Sequence, residues 1–162
     1  MPTLISNTSP VLYLGRIGQL NLLPQLFEGI YVPEQVCMEL DKGRLLRADT
    51  VDPRGLSWVT VVTVAPALIN GLPNNDLGLG ELSAIAYGSQ QTTALLALDD
   101  YQARVLADQL GLKLIGTVGI LLRAKRLGLQ PTIRPLLDKL QQEGFYLSQS
   151  LYTHVLQRAN EL

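Results

Sequence analysis

Four carboxylates and one amide stand at the ends or starts of regular segments in this chain, and oxygen donors of this kind are what a hard divalent cation takes. Asp99 and Asp100 follow the apolar run Thr93-Ala94-Leu95-Leu96-Ala97-Leu98, and Asn7 follows Thr3-Leu4-Ile5-Ser6. Glu39 lies toward the end of a helical segment opened by Pro33, and Glu81 starts another after a Gly- and Asn-rich stretch. Drawn together, neighbouring carboxylates repel by roughly 3 kcal/mol for a pair about 6 Å apart at an effective dielectric near 20, so a cluster calls for a compensating cation. Mg2+ or Mn2+ meets that need: either ion takes oxygen ligands, keeps waters, and activates one of them against a phosphodiester. Each residue also has a plainer use. Asp99-Asp100 would serve as an N-cap and helix-dipole partner, Glu81 as a first-turn acid, Glu39 as a solvated helix residue, and Thr117 as an ordinary N-cap.

Other chemistries find little support. Cys37 is the only cysteine, which excludes an internal disulfide and a thiol-rich metal site; it reads as a small buried side chain on a helix. His154 is the only histidine and lies in the last helical segment, so zinc chemistry and a histidine-based triad lack their ligands and base. A phosphoacceptor site on Asp99-Asp100 would want a lysine at the end of a neighbouring strand, and the last strand ends instead at Gly116-Thr117. The formal net charge is −1, so any RNA contact must be local. The candidate basic clusters are Lys42, Arg44 and Arg47, and then Arg123, Lys125 and Arg126.

The segments that must position these residues alternate in type. Thr3 to Ser6 predicts a first strand that hands over at Asn7 to a helix capped by Thr8-Ser9-Pro10; Gly15, Gly18 and Pro24 then break the following leucine pattern into two short helices. Ile30-Tyr31-Val32 predicts a second strand, and Pro33 a helix with Val36, Cys37 and Leu40 on one side. Asp41 to Ser57 reads as a helix end and a loop, Trp58 to Val64 as an edge strand stopped by Pro66, and Asn70 to Gly80 as a surface loop. Thr93 to Leu98 has the continuous apolar character of a strand covered on both faces in a parallel sheet. Helices follow to Leu110 and, after the short strand Lys113-Leu114-Ile115-Gly116, from Thr117 to Leu127, closed by Gly111 and Gly128. Two more helices cover Pro131 to Gly144, with Ile133, Leu136, Leu137 and Leu140 as inner stripe, and Ser148 to Leu162. Such alternation predicts a three-layer α/β/α sandwich around a central parallel sheet. In an open sheet of that kind ligands bind beyond the carboxyl ends of the strands, where Asn7 and Asp99 fall.

With 162 residues, 47% hydrophobic and 17% charged, the chain is expected to fold as a single domain over residues 1–162, in the cytoplasm. No apolar run approaches the roughly 18 residues that span a bilayer. A helical face around Leu12 to Leu26, or the final helix, is expected to bury itself in a dimer.

In this order, the segments resemble the PIN-domain family, specifically its VapC-like bacterial subgroup. The likeness is carried by Ser6-Asn7-Thr8-Ser9-Pro10 with Leu12-Tyr13-Leu14, Val32-Pro33-Glu34-Gln35-Val36 with Glu39-Leu40, and Gly80-Glu81-Leu82-Ser83-Ala84-Ile85. Leu98-Asp99-Asp100 with Ala103-Arg104, and Gly116-Thr117-Val118-Gly119-Ile120-Leu121, complete it. The resemblance implies a metal-dependent endoribonuclease that cleaves single-stranded RNA, the toxin of a toxin–antitoxin pair, with Mg2+ or Mn2+ as cofactor and a small antitoxin protein as partner. It implies Asn7, Glu39, Glu81 and Asp99 as the metal site, with Asp100 as accessory. Glu39, Glu81 and Asp99 would be catalytic, and Thr117 and Ser9 would contact a metal water or the scissile phosphate. Asn7 departs from the family pattern, in which an aspartate is usual: an amide offers a carbonyl oxygen without charge, so metal affinity should fall. A second expectation follows from that departure, a binding module that keeps the fold, has lost turnover, and acts through a protein partner or RNA.

Overall fold

The computed structural model describes residues 1–73 and 76–162. Five short strands form one sheet: β1 (Leu4–Ser6), β2 (Ile30–Pro33), β3 (Val59–Val62), β4 (Leu95–Ala97) and β5 (Lys113–Ile115). Their order is β3-β2-β1-β4-β5 and every pairing is parallel, with Ile5 opposite Tyr31 on one side and Leu96 on the other. Parallel pairing demands crossovers, and these are helical: α1 (Thr8–Arg16), α2 (Leu22–Leu26), α3 (Glu34–Leu46), α4 (Pro66–Asn70), α5 (Leu79–Gly88) and α6 (Tyr101–Gln109). Among the described residues three further helices, α7 (Thr117–Arg126), α8 (Arg134–Gln142) and α9 (Gln149–Arg158), follow the last strand.

Period-two alternation in the strands feeds both faces of the sheet. Leu4, Leu95 and Ala97 enter a large core with Leu14, Leu26, Ile120, Leu137 and Leu156. Ile5, Leu96 and Leu98 point the other way, into a smaller core with Ala84, Ile85, Ala103, Leu106 and Ala107. A third cluster, Val11, Val32, Val36, Cys37 and Leu40, packs α3 against β2 and α1. The three-layer α/β/α arrangement is the one that the sequence pattern implies, with β3 at the edge where its exposed Thr60 and Val61 are tolerated. No helix among the described residues is long and apolar enough to cross a membrane.

Some local expectations are corrected. Asn7, not Thr8 or Ser9, is the N-cap of α1, and Gly116, not Thr117, is the N-cap of α7, so all three hydroxyl residues sit inside their helices. A short helix, α4, opens at Pro66, where proline presets the first turn without ending the fold of that segment. β4 is shorter than the apolar run that signals it, although the Leu98 N–H still bonds the Ile115 carbonyl at 3.0 Å. Of the loop expected over residues 70–80, residues 74 and 75 lie outside the described residues, and Leu79 and Gly80 already belong to α5. Gly111 and Gly128 close α6 and α7 with φ of +76° and +77°, left-handed values that explain why glycine follows both helices.

Candidate functional site

The chain passes from β1 outward to β2 and β3, then returns to lay β4 against the other side of β1. That reversal opens a crevice at the carboxyl ends of β1 and β4. Asn7 follows β1 directly and Asp99 lies just past the end of β4, with the Asn7 N–H bonded to the Ala97 carbonyl at 3.1 Å. Asn7 is 5% exposed. An asparagine at an N-cap ordinarily gives its side-chain oxygen to a helix N–H, yet here it makes no cap bond, and Oδ1 is buried with no hydrogen-bond partner among the described residues. Leaving such an oxygen unpaired costs about 1–3 kcal/mol.

Donors surround the neighbouring acids. Asp99 Oδ1 accepts from the Thr117 N–H at 2.8 Å, and Oδ2 accepts from the Thr117 hydroxyl at 2.6 Å and the Ser9 hydroxyl at 2.7 Å. Glu39 Oε1 accepts from the Gly80 N–H at 2.9 Å, and its Oε2 from the Thr8 hydroxyl. Thr8 and Ser9, adjacent in the first turn of α1, thus reach in two directions and tie α3 and the end of β4 to the same turn. Gly80 must be glycine for this to happen, because a Cβ there would stand 2.4 Å from Glu39 Oε1 and 2.7 Å from its Cδ. Glu81 Oε1 accepts from the Gly78 N–H at 3.2 Å at the start of α5. Around the position that a Gly78 Cβ would take, Glu81 Oε1 is 3.5 Å and Glu39 Oε1 3.9 Å away, so these two carboxylates face a common small space.

Electrostatics follow from that crowding. Burial pushes the Glu81 carboxyl above its ordinary value; the Gly78 N–H opposes the shift, and the Asp100 and Glu39 charges add to it. Asp100 itself is exposed and caps α6, its Oδ2 accepting from the Ala103 N–H at 2.9 Å. Thr117 is fully buried with its hydroxyl given to Asp99, and Ser9 is half-buried with the same commitment. All five of Asn7, Glu39, Glu81, Asp99 and Thr117 therefore border one end of the sheet, with Asp100 on its rim. Cys37 and His154 stand elsewhere, the first buried in the α3 cluster and the second exposed on α9.

Among the described residues, no group of three or more histidine, cysteine, aspartate or glutamate side chains is placed to hold a metal ion. Mg2+ does not need such a cage: it commonly binds through one or two carboxylates and keeps several waters. An orphaned amide oxygen, next in the chain to Thr8 and Ser9, which hold the Glu39 and Asp99 carboxylates, fits that oxygen-only, partly hydrated demand. Among the described residues Asp99 accepts three hydrogen bonds and Glu39 two, which leaves lone pairs over.

Most of the basic residues that the sequence offers lie away from this crevice or are already engaged, although Lys42, exposed on α3 three residues after Glu39, and Arg126 form no ion pair among the described residues. Arg44 binds Asp41 at 2.8 Å and the Thr50 and Val51 carbonyls, and Arg47 binds Asp49 and Glu143, each at 2.7 Å. Lys125 pairs with Glu161 at 3.1 Å and Arg123 covers the Phe27 ring, both toward the far end of α7 from Asp99. Arg104, on α6, borders the site instead and carries no signal in the sequence beyond its place after Asp99-Asp100. Thr8 and Gly80 were equally hidden as partners of Glu39, since one reads as a cap and the other as loop.

A family model described as a PIN domain matches residues 3–161 of the chain. No curated protein matches it.

Proposed function

The chain belongs to the PIN-domain family, whose fold is nuclease-like, and from that premise we propose that it is a metal-dependent endoribonuclease acting on single-stranded RNA. The buried, unpartnered Asn7 Oδ1 at the β1–β4 crevice carries the reading, because it is an oxygen donor left without a partner beside Thr8 and Ser9, whose hydroxyls hold Glu39 and Asp99. Asp99 and Asn7 would hold Mg2+ or Mn2+, with Glu81 and Glu39 beside it. Such an ion, when bound, polarises a phosphoryl oxygen and lowers the pKa of a coordinated water. Glu81 accepts the proton of the attacking water, a task favoured by its raised pKa. Glu39, fixed by Thr8 and the Gly80 N–H, orients that water. Ser9 and Thr117 act through Asp99, fixing the direction of its carboxylate. The whole of residues 1–162 would work as one such domain in the cytoplasm, as the toxin of a pair in the VapC-like subgroup, dimeric and restrained by a small antitoxin protein.

Purified protein with Mn2+ is expected to cut single-stranded RNA, and Asp99→Asn to abolish the cutting. Equal activity in the variant defeats the proposal.

A second reading rests on the charge that Asn7 lacks and on the lone pairs of Asp99 and Glu39 that Thr8, Ser9, Thr117 and Gly80 already occupy. In it the chain keeps the fold as a binding module for a protein or RNA. Calorimetry showing no Mn2+ uptake, a small protein co-purifying, and cleavage appearing only in Asn7→Asp would favour this reading over the first.

A further inference from the structure

The first turn of α6 carries two side chains for which neither the core nor the acidic cluster has a use. Arg104 folds back toward the start of the helix, where Nη1 donates to the Leu98 carbonyl at 2.7 Å. Its guanidinium and the Asp99 carboxylate lean on the same glycine: a Cβ on Gly116 would stand 3.4 Å from Arg104 Nη1 and 3.1 Å from Asp99 Oδ1. Even so, Arg104 makes no ion pair among the described residues, and the rest of its donor fork is unspent. Tyr101 precedes it by three residues, hence on the same side of α6; it is 79% exposed and opens the helix directly after Asp99-Asp100.

We propose that this turn is a strand-binding platform on which a base of single-stranded nucleic acid stacks on Tyr101 while Arg104 binds the adjoining phosphate and presents the backbone to Asp99. The ligand class rests on the nuclease reading; the placement rests on the two side chains. A phosphodiester approaching Asp99, Asp100, Glu81 and Glu39 meets like charge, so it needs a fixed cation at that rim. Arg44, Arg47 and Lys125 are paired elsewhere, whereas Arg104 stands beside Asp99 with donors to give. Stacking on an exposed aromatic is indifferent to base identity, and the guanidinium reads only backbone charge, so the platform binds strands with little sequence preference.

The test uses the full chain in EDTA, which withholds the metal that cleavage would need, with a fluorescein-labelled oligouridine titrated at several salt concentrations. Tyr101→Ala should weaken binding by about tenfold with the salt dependence unchanged, and Tyr101→Phe should bind like the parent. Arg104→Gln should weaken binding and reduce the slope of log affinity against log salt by about 0.7, the share of one single-strand phosphate contact, while Arg104→Lys keeps most of that slope. Parent-like affinity in Tyr101→Ala together with a parent-like slope in Arg104→Gln overturns the platform, and so does failure of the parent to bind. The Tyr101 variants alter an exposed ring, so their folding, checked by melting temperature, is not at issue. Platform-dependent binding without Mn2+-dependent cleavage would fell the nuclease reading alone; cleavage with variant-insensitive binding would fell the platform alone.

Discussion

Glu81 is the residue at which the site's strain can be measured without any substrate. Its folded-state pKa lies above the ordinary glutamate value of 4.5, chiefly through burial. Between those two values the folded chain holds the proton more firmly than the unfolded chain does, so stability falls as pH rises through that window and stays reduced at neutral pH. Glu81→Gln keeps an acceptor for the Gly78 N–H and removes the charge. Its melting temperature, without divalent ions, is expected to exceed that of the parent at pH 7, with the gain vanishing below the ordinary glutamate value; melting followed by circular dichroism checks this. A parent-like melting temperature at both pH values would show that the carboxylate is not crowded. At this scale the sequence was informative about place and silent about partners. Asn7 and Asp99 were legible because strand ends in a parallel sheet can be read from apolar runs. Thr8 and Ser9 look like capping residues in any sequence, and only the fold turns their hydroxyls toward Glu39 and Asp99.

Helices α5 and α6, which carry Glu81 and border Asp99, rest on the smaller of the two cores that flank the sheet, whereas α7, α8 and α9 share the larger. Ile85 and Leu137 are both fully buried, one on each side. Ile85→Ala and Leu137→Ala should each cost about 2–5 kcal/mol of stability, measured by urea unfolding. Only Ile85→Ala should also weaken Mn2+ binding by calorimetry, because α5 seats Glu81; equal effects of both variants on the metal would show that the site does not depend on its local core. Element types and order were largely readable from alternation, caps and closing glycines. The start of α4 was not, because Pro66 signals a strand's end and a helix's first turn equally well. The basic clusters misled for a related reason: charge runs show that arginines exist but not that Glu143, nearly a hundred residues on, neutralises Arg47.

Seen whole, the molecule carries a formal charge of −1 and gathers several of its acids at one end of the sheet. On the proposed nuclease reading, attraction to RNA must therefore be local, and variants that alter charge to silence the acids would also alter that attraction. Gly80 offers a way round this. Gly80→Ala would press a methyl group onto the Glu39 carboxylate and push it aside while leaving every charge in place. Cleavage is expected to drop by at least about tenfold, the usual scale for displacing one proton-handling or positioning group. Oligonucleotide affinity, measured by fluorescence anisotropy, should stay at the parent level; retained cleavage would show that Glu39 is dispensable. On the proposed nuclease reading, a chain disarmed by a single methyl group would be an inert decoy, still able to hold RNA strands intact for their identification.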